Sequence, residues 1–406
     1  MTPPSDTGRR IFYAAGGQAD LVGAQQWVLR SEDHPLQVSI TFSSQIIDAI
    51  NRLGGKGMLV SDRGDGAQYA DDRLIIEHLA KGQGSGVAYY WFGLRYTLTL
   101  IQRARAFGAD LALIDSGVIP YFLMGLFRLF GIPVIPIVHN SLWPEGYPPQ
   151  GLGRRIVQWL DSRFWRRGPA ACIVVSPVIE RQIRSLAPSL RYPVRQSWAQ
   201  FHRSYFQDIA PPTWLTDAPR PFRMAFVGRM TADKGVFDVV AMADRIQQQS
   251  PGLVEWIVCG EGADLSAMRA AVAAKGLVAQ FDIRGYTSAK DMADVYGKVD
   301  ACIVPTTSHF PEGLAMTAIE AVAAGRPLIS NPVVPAVEFT KEATIVVRTD
   351  DVDAYVDAII RLATDRAQYS ELQGGTGQCD IARFFDRDYG LGSLLSRMVP
   401  EALSQK

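Results

Sequence analysis

Short runs that are apolar on both faces recur along this chain. LALID (Leu111–Asp115), VIPIV (Val134–Val138), CIVVS (Cys172–Ser176) and ACIV (Ala301–Val304) are four of them. A strand without a polar face must be covered on both sides, and a parallel sheet sandwiched between helices is the fold that covers it. The intervening segments fit. In the first half, strand-like Arg10–Ala15, Gln37–Phe42 and Gly57–Ser61 alternate with helical runs over 44–53, 96–107 and 121–130. In the second, strands Phe222–Val227, Val254–Cys259, Phe281–Arg284 and Ala343–Val347 alternate with helical runs over 236–249, 264–274 and 289–296. Between them lies Asp208–Pro221, with four prolines in fourteen residues, the composition of a stiff linker. The pattern predicts an α/β protein of two Rossmann-like domains. The first spans residues 1–207, a linker 208–221, the second domain 222–385 and a helical tail 386–406.

At 406 residues the chain is long enough for two cores. Its net charge is zero, yet residues 1–210 hold 22 Lys+Arg against 16 Asp+Glu, and the remainder 19 against 25. So small a basic bias argues against nucleic acid as partner. The four cysteines are scattered without a CxxC pair, which points to buried thiols rather than zinc or disulfides. The first seventeen residues lack the apolar core of a signal peptide. The longest apolar stretch, Val118–Val138, is broken by Pro120, Arg128 and Pro133. A cytoplasmic protein is expected.

Ligands of such sheets collect at the carboxyl ends of the strands. Gly16-Gly17 follows the first strand and His139 ends the strand Val134–Val138. A glycine pair lets a phosphate approach the backbone, but a tight turn without ligand fits it as well. In the second half, Gly228-Arg229 and Lys234-Gly235 flank one loop, where a planar guanidinium and a compact ammonium can converge on a diphosphate. The stretch Val304–Asn331 (VPTTSHFPEGLAMTAIEAVAAGRPLISN) then carries Glu312 before a helix and Glu320 within it. Eight residues of helix rise about 12 Å and turn the two side chains roughly 80° apart. The pair can therefore grip opposite ends of an elongated ligand while the amides of Gly313, Leu314 and Ala315 hold negative charge between them. A nucleotide sugar has that shape, with hydroxyls at both ends for carboxylates to bind. Solvated loop cations and ordinary helix glutamates are the plainer alternative for each residue taken alone.

The constellation Gly228-Arg229…Lys234-Gly235, Gly260-Glu261-Gly262, Arg284-Gly285-Tyr286, Val304-Pro305 and Glu312-x7-Glu320, followed by Ala324-Gly325-Arg326-Pro327, resembles the retaining glycosyltransferases of family 4. The resemblance is firm over residues 222–385 and only an outline in the first half. It implies the GT-B architecture, two facing Rossmann-like domains whose C-terminal helix crosses back to the first. It also implies a nucleotide-sugar donor, a glycan, lipid-linked or other hydroxyl acceptor, and no cofactor or metal. Glu312 would hold donor-sugar hydroxyls and Glu320 the ribose. Arg229 and Lys234 would neutralise the diphosphate, His139 would face the donor sugar, Gly16-Gly17 would lie near phosphates and acceptor, and backbone at Tyr286 would meet the base. Gly313-Leu314-Ala315 departs from the Phe-Gly common at that point in the family, which leaves the sugar open.

Asp351-Val352-Asp353 has the form of a DxD metal motif, but its place at a helix start favours capping. The basic, aromatic stretch 151–168, with five arginines and one aspartate, fits either an anionic membrane surface at the inner leaflet or a helix packed on its own domain. A sugar-nucleotide epimerase or hydrolase, and a non-catalytic two-domain binding protein, are the competing functions.

Overall fold

The computed structural model describes residues 9–32, 37–216 and 219–404. The linker residues Asp217 and Ala218, and the ends of the first domain and of the tail, therefore lie outside the described residues. Two sheets face each other. The first runs, in spatial order, Gln68–Ala70, Leu74–His78, Lys56–Ser61, Arg10–Ala15, Leu111–Asp115, Val134–Val138, Cys172–Val174, Val194–Gln196. The second runs Phe281–Gly285, Val254–Cys259, Phe222–Val227, Ala301–Val304, Leu328–Ser330, Thr344–Val346. All neighbours are parallel except the antiparallel pair Gln68–Ala70 with Leu74–His78 at the rim. This is the doubly wound arrangement that the two-faced apolar strands demand, and it is the GT-B fold.

One stretch differs from the sequence expectation. Gln37–Phe42 is not a strand of the main sheet. Only Ser39–Ile40 is extended, paired with Gln200–Phe201, because the Thr41 side chain accepts from the Ser44 amide and starts the helix at Phe42. Tyr89–Trp91 belongs to a single helix, Val87–Phe107. A 3-10 turn over Ala382–Phe385 buries Phe384.

The C-terminal helix Leu391–Ser404 does cross back. It buries Leu391, Leu394, Leu395, Met398 and Val399, and joins the core of the first sheet on the side of Ile46, Ile47 and Ile50. Gln45 ties it there by accepting from the Leu391 amide at 2.9 Å. The halves are also bolted where the chain passes between them. Trp198 packs against Phe339 and Phe384, each with ring centroids 5.0 Å away. The fully buried guanidinium of Arg326 donates to the carbonyls of Val299 (3.1 Å), Ala324 and, from the linker, Ala210 (2.6 Å). A buried charge is tolerable only with such partners. Among the described residues no helix is long and apolar enough to cross a membrane.

Candidate active site in the cleft between the sheets

The carboxyl ends of both sheets open onto one cavity of about 330 Å³. Its second-half wall is built by close backbone approach. Gly235, at φ 83°, lies so near Pro305 that a Cβ there would sit 2.3 Å from the Pro305 carbonyl oxygen. The neighbouring Lys234 is thereby held on this wall. Its ammonium pairs with Glu312 Oε2, which also accepts from Thr306 Oγ1 at 3.1 Å. The Gly260-Glu261-Gly262 motif has the same logic. A Cβ on Gly260 would lie 1.8 Å from the Gly228 oxygen, and one on Gly262 2.4 Å from the Met230 oxygen. These glycines let the Gly228–Met230 turn pack down with Arg229 on the cavity side. Phe310, which sequence reasoning passed over, stands between the two cations. The Lys234 ammonium is 4.1 Å and the Arg229 guanidinium 4.9 Å from its ring centre.

The helix carrying Glu320 begins later than the sequence suggests, at Met316, with Ala315 in the left-handed region at φ 66°. The amides of Gly313, Leu314, Ala315, Met316 and Thr317 donate to no partner among the described residues, whereas Ala318 already bonds to Ala315. Five unpaired N–H groups beside two cations make a strong anion cradle. Glu320 lies one turn further, 6% exposed, and accepts from the Tyr296 hydroxyl at 2.9 Å. Burial pushes its carboxyl up to about 7.

The first half contributes Phe42 and His139. His139 Nε2 lies 3.0 Å from Asp115 Oδ1, and Asp115 Oδ2 accepts from the Tyr13 hydroxyl at 2.7 Å. His139 Nδ1 is buried without a hydrogen-bond partner among the described residues. The ring packs on Phe42 at 4.6 Å, and the His139 amide donates to Ser116 Oγ at 3.0 Å. The two halves meet at Gly313. A Cβ there would lie 1.7 Å from the His139 carbonyl oxygen, so only glycine permits this approach.

Of the residues expected from sequence, Glu312, His139, Arg229, Lys234, Gly228, Gly313, Leu314, Ala315 and Glu320 all line this cavity. Gly16, Gly17 and Tyr286 stand outside its lining. Gly16 packs under Ser116, and the Tyr286 ring is half exposed. Asp115, Tyr296, Thr306 and Phe310 were missed, since Asp115 and Tyr296 meet their partners from other elements and leave no local spacing to read. The Asp351 carboxylate accepts from the Ala354 amide at 3.0 Å and caps the helix Val352–Thr364, as its position implied.

Residues 221–365 match the family model described as glycosyl transferases group 1. That span holds every second-half residue of the cavity. Over 215 residues the chain is 31% identical to a 2-deoxystreptamine N-acetyl-D-glucosaminyltransferase of Streptomyces fradiae, covering 50% of this chain and 49% of that one. The chain thus spans about half the length of that relative. Among solved structures, a sucrose-phosphate synthase from Thermosynechococcus elongatus superposes with TM-score 0.70 at 17% identity, covering 98% of this chain and 100% of that one. An Anabaena protein, HepE, crystallised with UDP, superposes at TM-score 0.63 and 13% identity, covering 98% and 100%. Likenesses at such identities establish the two-domain fold.

Proposed function

We propose that the chain is a retaining, metal-independent glycosyltransferase of family 4 that moves a sugar from a nucleotide-diphosphate sugar to a hydroxyl acceptor. One observation carries this: Lys234, Arg229 and five unpaired amides converge on one cavity, with Glu312 and Glu320 on either side and His139 opposite. Fixed cations and amides stabilise the charge that develops on a departing diphosphate, and they are already oriented before the bond breaks. In the structure Lys234 is paired to Glu312. Donor binding exchanges that partner, so that Lys234 turns to the diphosphate and Glu312 to sugar hydroxyls. Glu320, steadied by Tyr296, takes the ribose. With the acceptor on the same face as the leaving group, the leaving phosphate accepts its proton. His139 is the alternative base, oriented through Asp115.

The names of the relatives, an N-acetyl-D-glucosaminyltransferase and a glycogen synthase of Mycobacterium tuberculosis, support sugar transfer as the reaction. Glycan or lipid-linked acceptors in envelope polysaccharide synthesis remain part of the proposal, as does attachment to the inner leaflet. The helix Leu152–Arg167 buries Phe164 and Trp165 in its own domain but leaves Leu152, Ile156 and Trp159 exposed beside its arginines. Flotation with anionic liposomes tests the attachment, and no binding at low salt would remove it.

Isothermal titration with UDP, GDP, ADP and dTDP tests the core reading. One of them is expected to bind, and binding by none would overturn it. Turnover of the matching sugar nucleotide without acceptor would favour a hydrolase or epimerase, and NMR of the anomeric proton in the product tests retention.

A further inference from the structure

Next to the donor cavity, across the turn that carries Glu312, lies a second cavity of about 270 Å³. Pro311 lines it from the second half, and Tyr90, Tyr121, Trp143, Tyr147 and Asp161 line it from the first. It is a built site. The Leu142–Glu145 segment is clamped by the buried amide of Gln182, which accepts from the Leu142 amide at 2.7 Å and donates to the Trp143 carbonyl at 2.9 Å and Glu145 Oε2 at 3.1 Å. Asp161 Oδ1 accepts from the Phe122 amide at 3.0 Å, at the start of the helix Tyr121–Leu129. No cation pairs with Asp161 among the described residues, and burial pushes its carboxyl up to about 7. Arg154 lines the same cavity from two turns earlier on the helix, about 10 Å along its axis.

A half-buried carboxylate without a counter-charge, set among tyrosine and tryptophan rings, is the arrangement that receives an ammonium group. The carboxylate supplies the charge and the rings supply their negative faces. Flat aromatic walls also match the apolar face of a saturated ring whose hydroxyls point outward. We propose that this cavity is the acceptor subsite and that it takes an amine-bearing polyhydroxylated ring, an aminosugar or aminocyclitol, with its ammonium on Asp161. The assignment rests on the glycosyltransferase reading for its reaction, but not for its binding chemistry. Pro311 lines this cavity and its chain neighbour Glu312 lines the donor cavity, so a ring held there lies beside the turn that bears Glu312. Arg154, at the far end, disfavours a second cation and leaves that end to hydroxyls.

The test is equilibrium binding to the full chain, with and without the nucleotide identified by titration. The probes are 2-deoxystreptamine, glucosamine, N-acetylglucosamine and glucose, read by saturation-transfer NMR and calorimetry. The two amines are expected to bind at least tenfold more tightly than the neutral rings. Asp161→Asn is expected to erase that preference, and Trp143→Ala to weaken all four probes, while nucleotide affinity stays unchanged in both. Equal affinity for charged and neutral rings, or a preference that survives Asp161→Asn, overturns the proposal. Asp161→Asn also touches the start of a helix; if that variant fails to fold, undiminished amine binding by Trp143→Ala overturns it instead. Failure of every nucleotide to bind, with amines still preferred, would sink the transferase reading and leave the amine site standing.

Discussion

The two sheets place a glycine turn at the same point, after their central strand, and use it differently. In the first half Arg10–Ala15 runs into Gly16-Gly17-Gln18, where Gly17 (φ 66°) and Gln18 (φ 56°) are both left-handed and Asp20 caps the next helix through the Gly23 amide. A Cβ on Gly16 would meet the Ser116 oxygen at 2.9 Å. In the second half Phe222–Val227 runs into Gly228, which has no strained φ and nothing within 4 Å of where a Cβ would stand. One turn needs glycine for its own backbone. The other leaves an opening that Arg229 and Lys234 flank. Beside Gly16 that space is already filled by protein, and beside Gly228 it is open.

Substitutions can break this contrast. The largest effect is expected from Lys234→Ala, which should lower transfer by on the order of a thousandfold, the scale of losing a fixed charge at a developing anion, with little change in melting temperature. Near-normal steady-state transfer would remove the diphosphate role. Gly313→Ala comes next. The added methyl falls on the His139 carbonyl, so the halves should stay apart, with turnover falling more than tenfold while each half keeps its fold. Small-angle scattering would show a larger radius of gyration, and an unchanged radius with full activity would refute the contact.

Glu320→Gln probes pH. The folded carboxyl titrates near 7, above its ordinary 4.5. Its contribution to stability is therefore complete below about pH 4.5 and is lost as pH rises through 7, up to about 3 kcal/mol. The glutamine variant should flatten that slope in denaturant unfolding at pH 5 and pH 8, and a slope left intact would deny that Glu320 is its source. The smallest effect is expected from Gly17→Ala, a loss of about 1 kcal/mol from left-handed backbone, with nucleotide affinity unaltered. Weakened nucleotide binding there would bring the first turn back into the donor site.

The fold was legible because both-faced apolar strands such as Val134–Val138 admit few arrangements, and the prolines of the linker mark where one sheet stops. Most of the second-half wall of the cavity was legible too, since Arg229, Lys234, Glu312 and Glu320 follow one another around a single sheet edge. What escaped reading depends on contacts between distant segments. Leu74–His78 is a strand only because Lys56–Ser61 lies beside it, and Asp115 matters only once His139 is 3.0 Å away. Asp161 looked like one acid in an arginine-rich helix until the loop held by Gln182 closed a cavity over it. Charge counting along 151–168 saw the surface of that helix and not its inward face.

The meeting of Gly313 with the His139 carbonyl has a bearing on how such a protein should be dissected. Scanning mutagenesis takes alanine as the neutral state and reads each loss as a contact removed. At residue 313 alanine is the intrusion, and what it disturbs is the spacing of two sheets, not a bond to any ligand. Activity lost there reports a distance, and a map of functional side chains would leave the position blank.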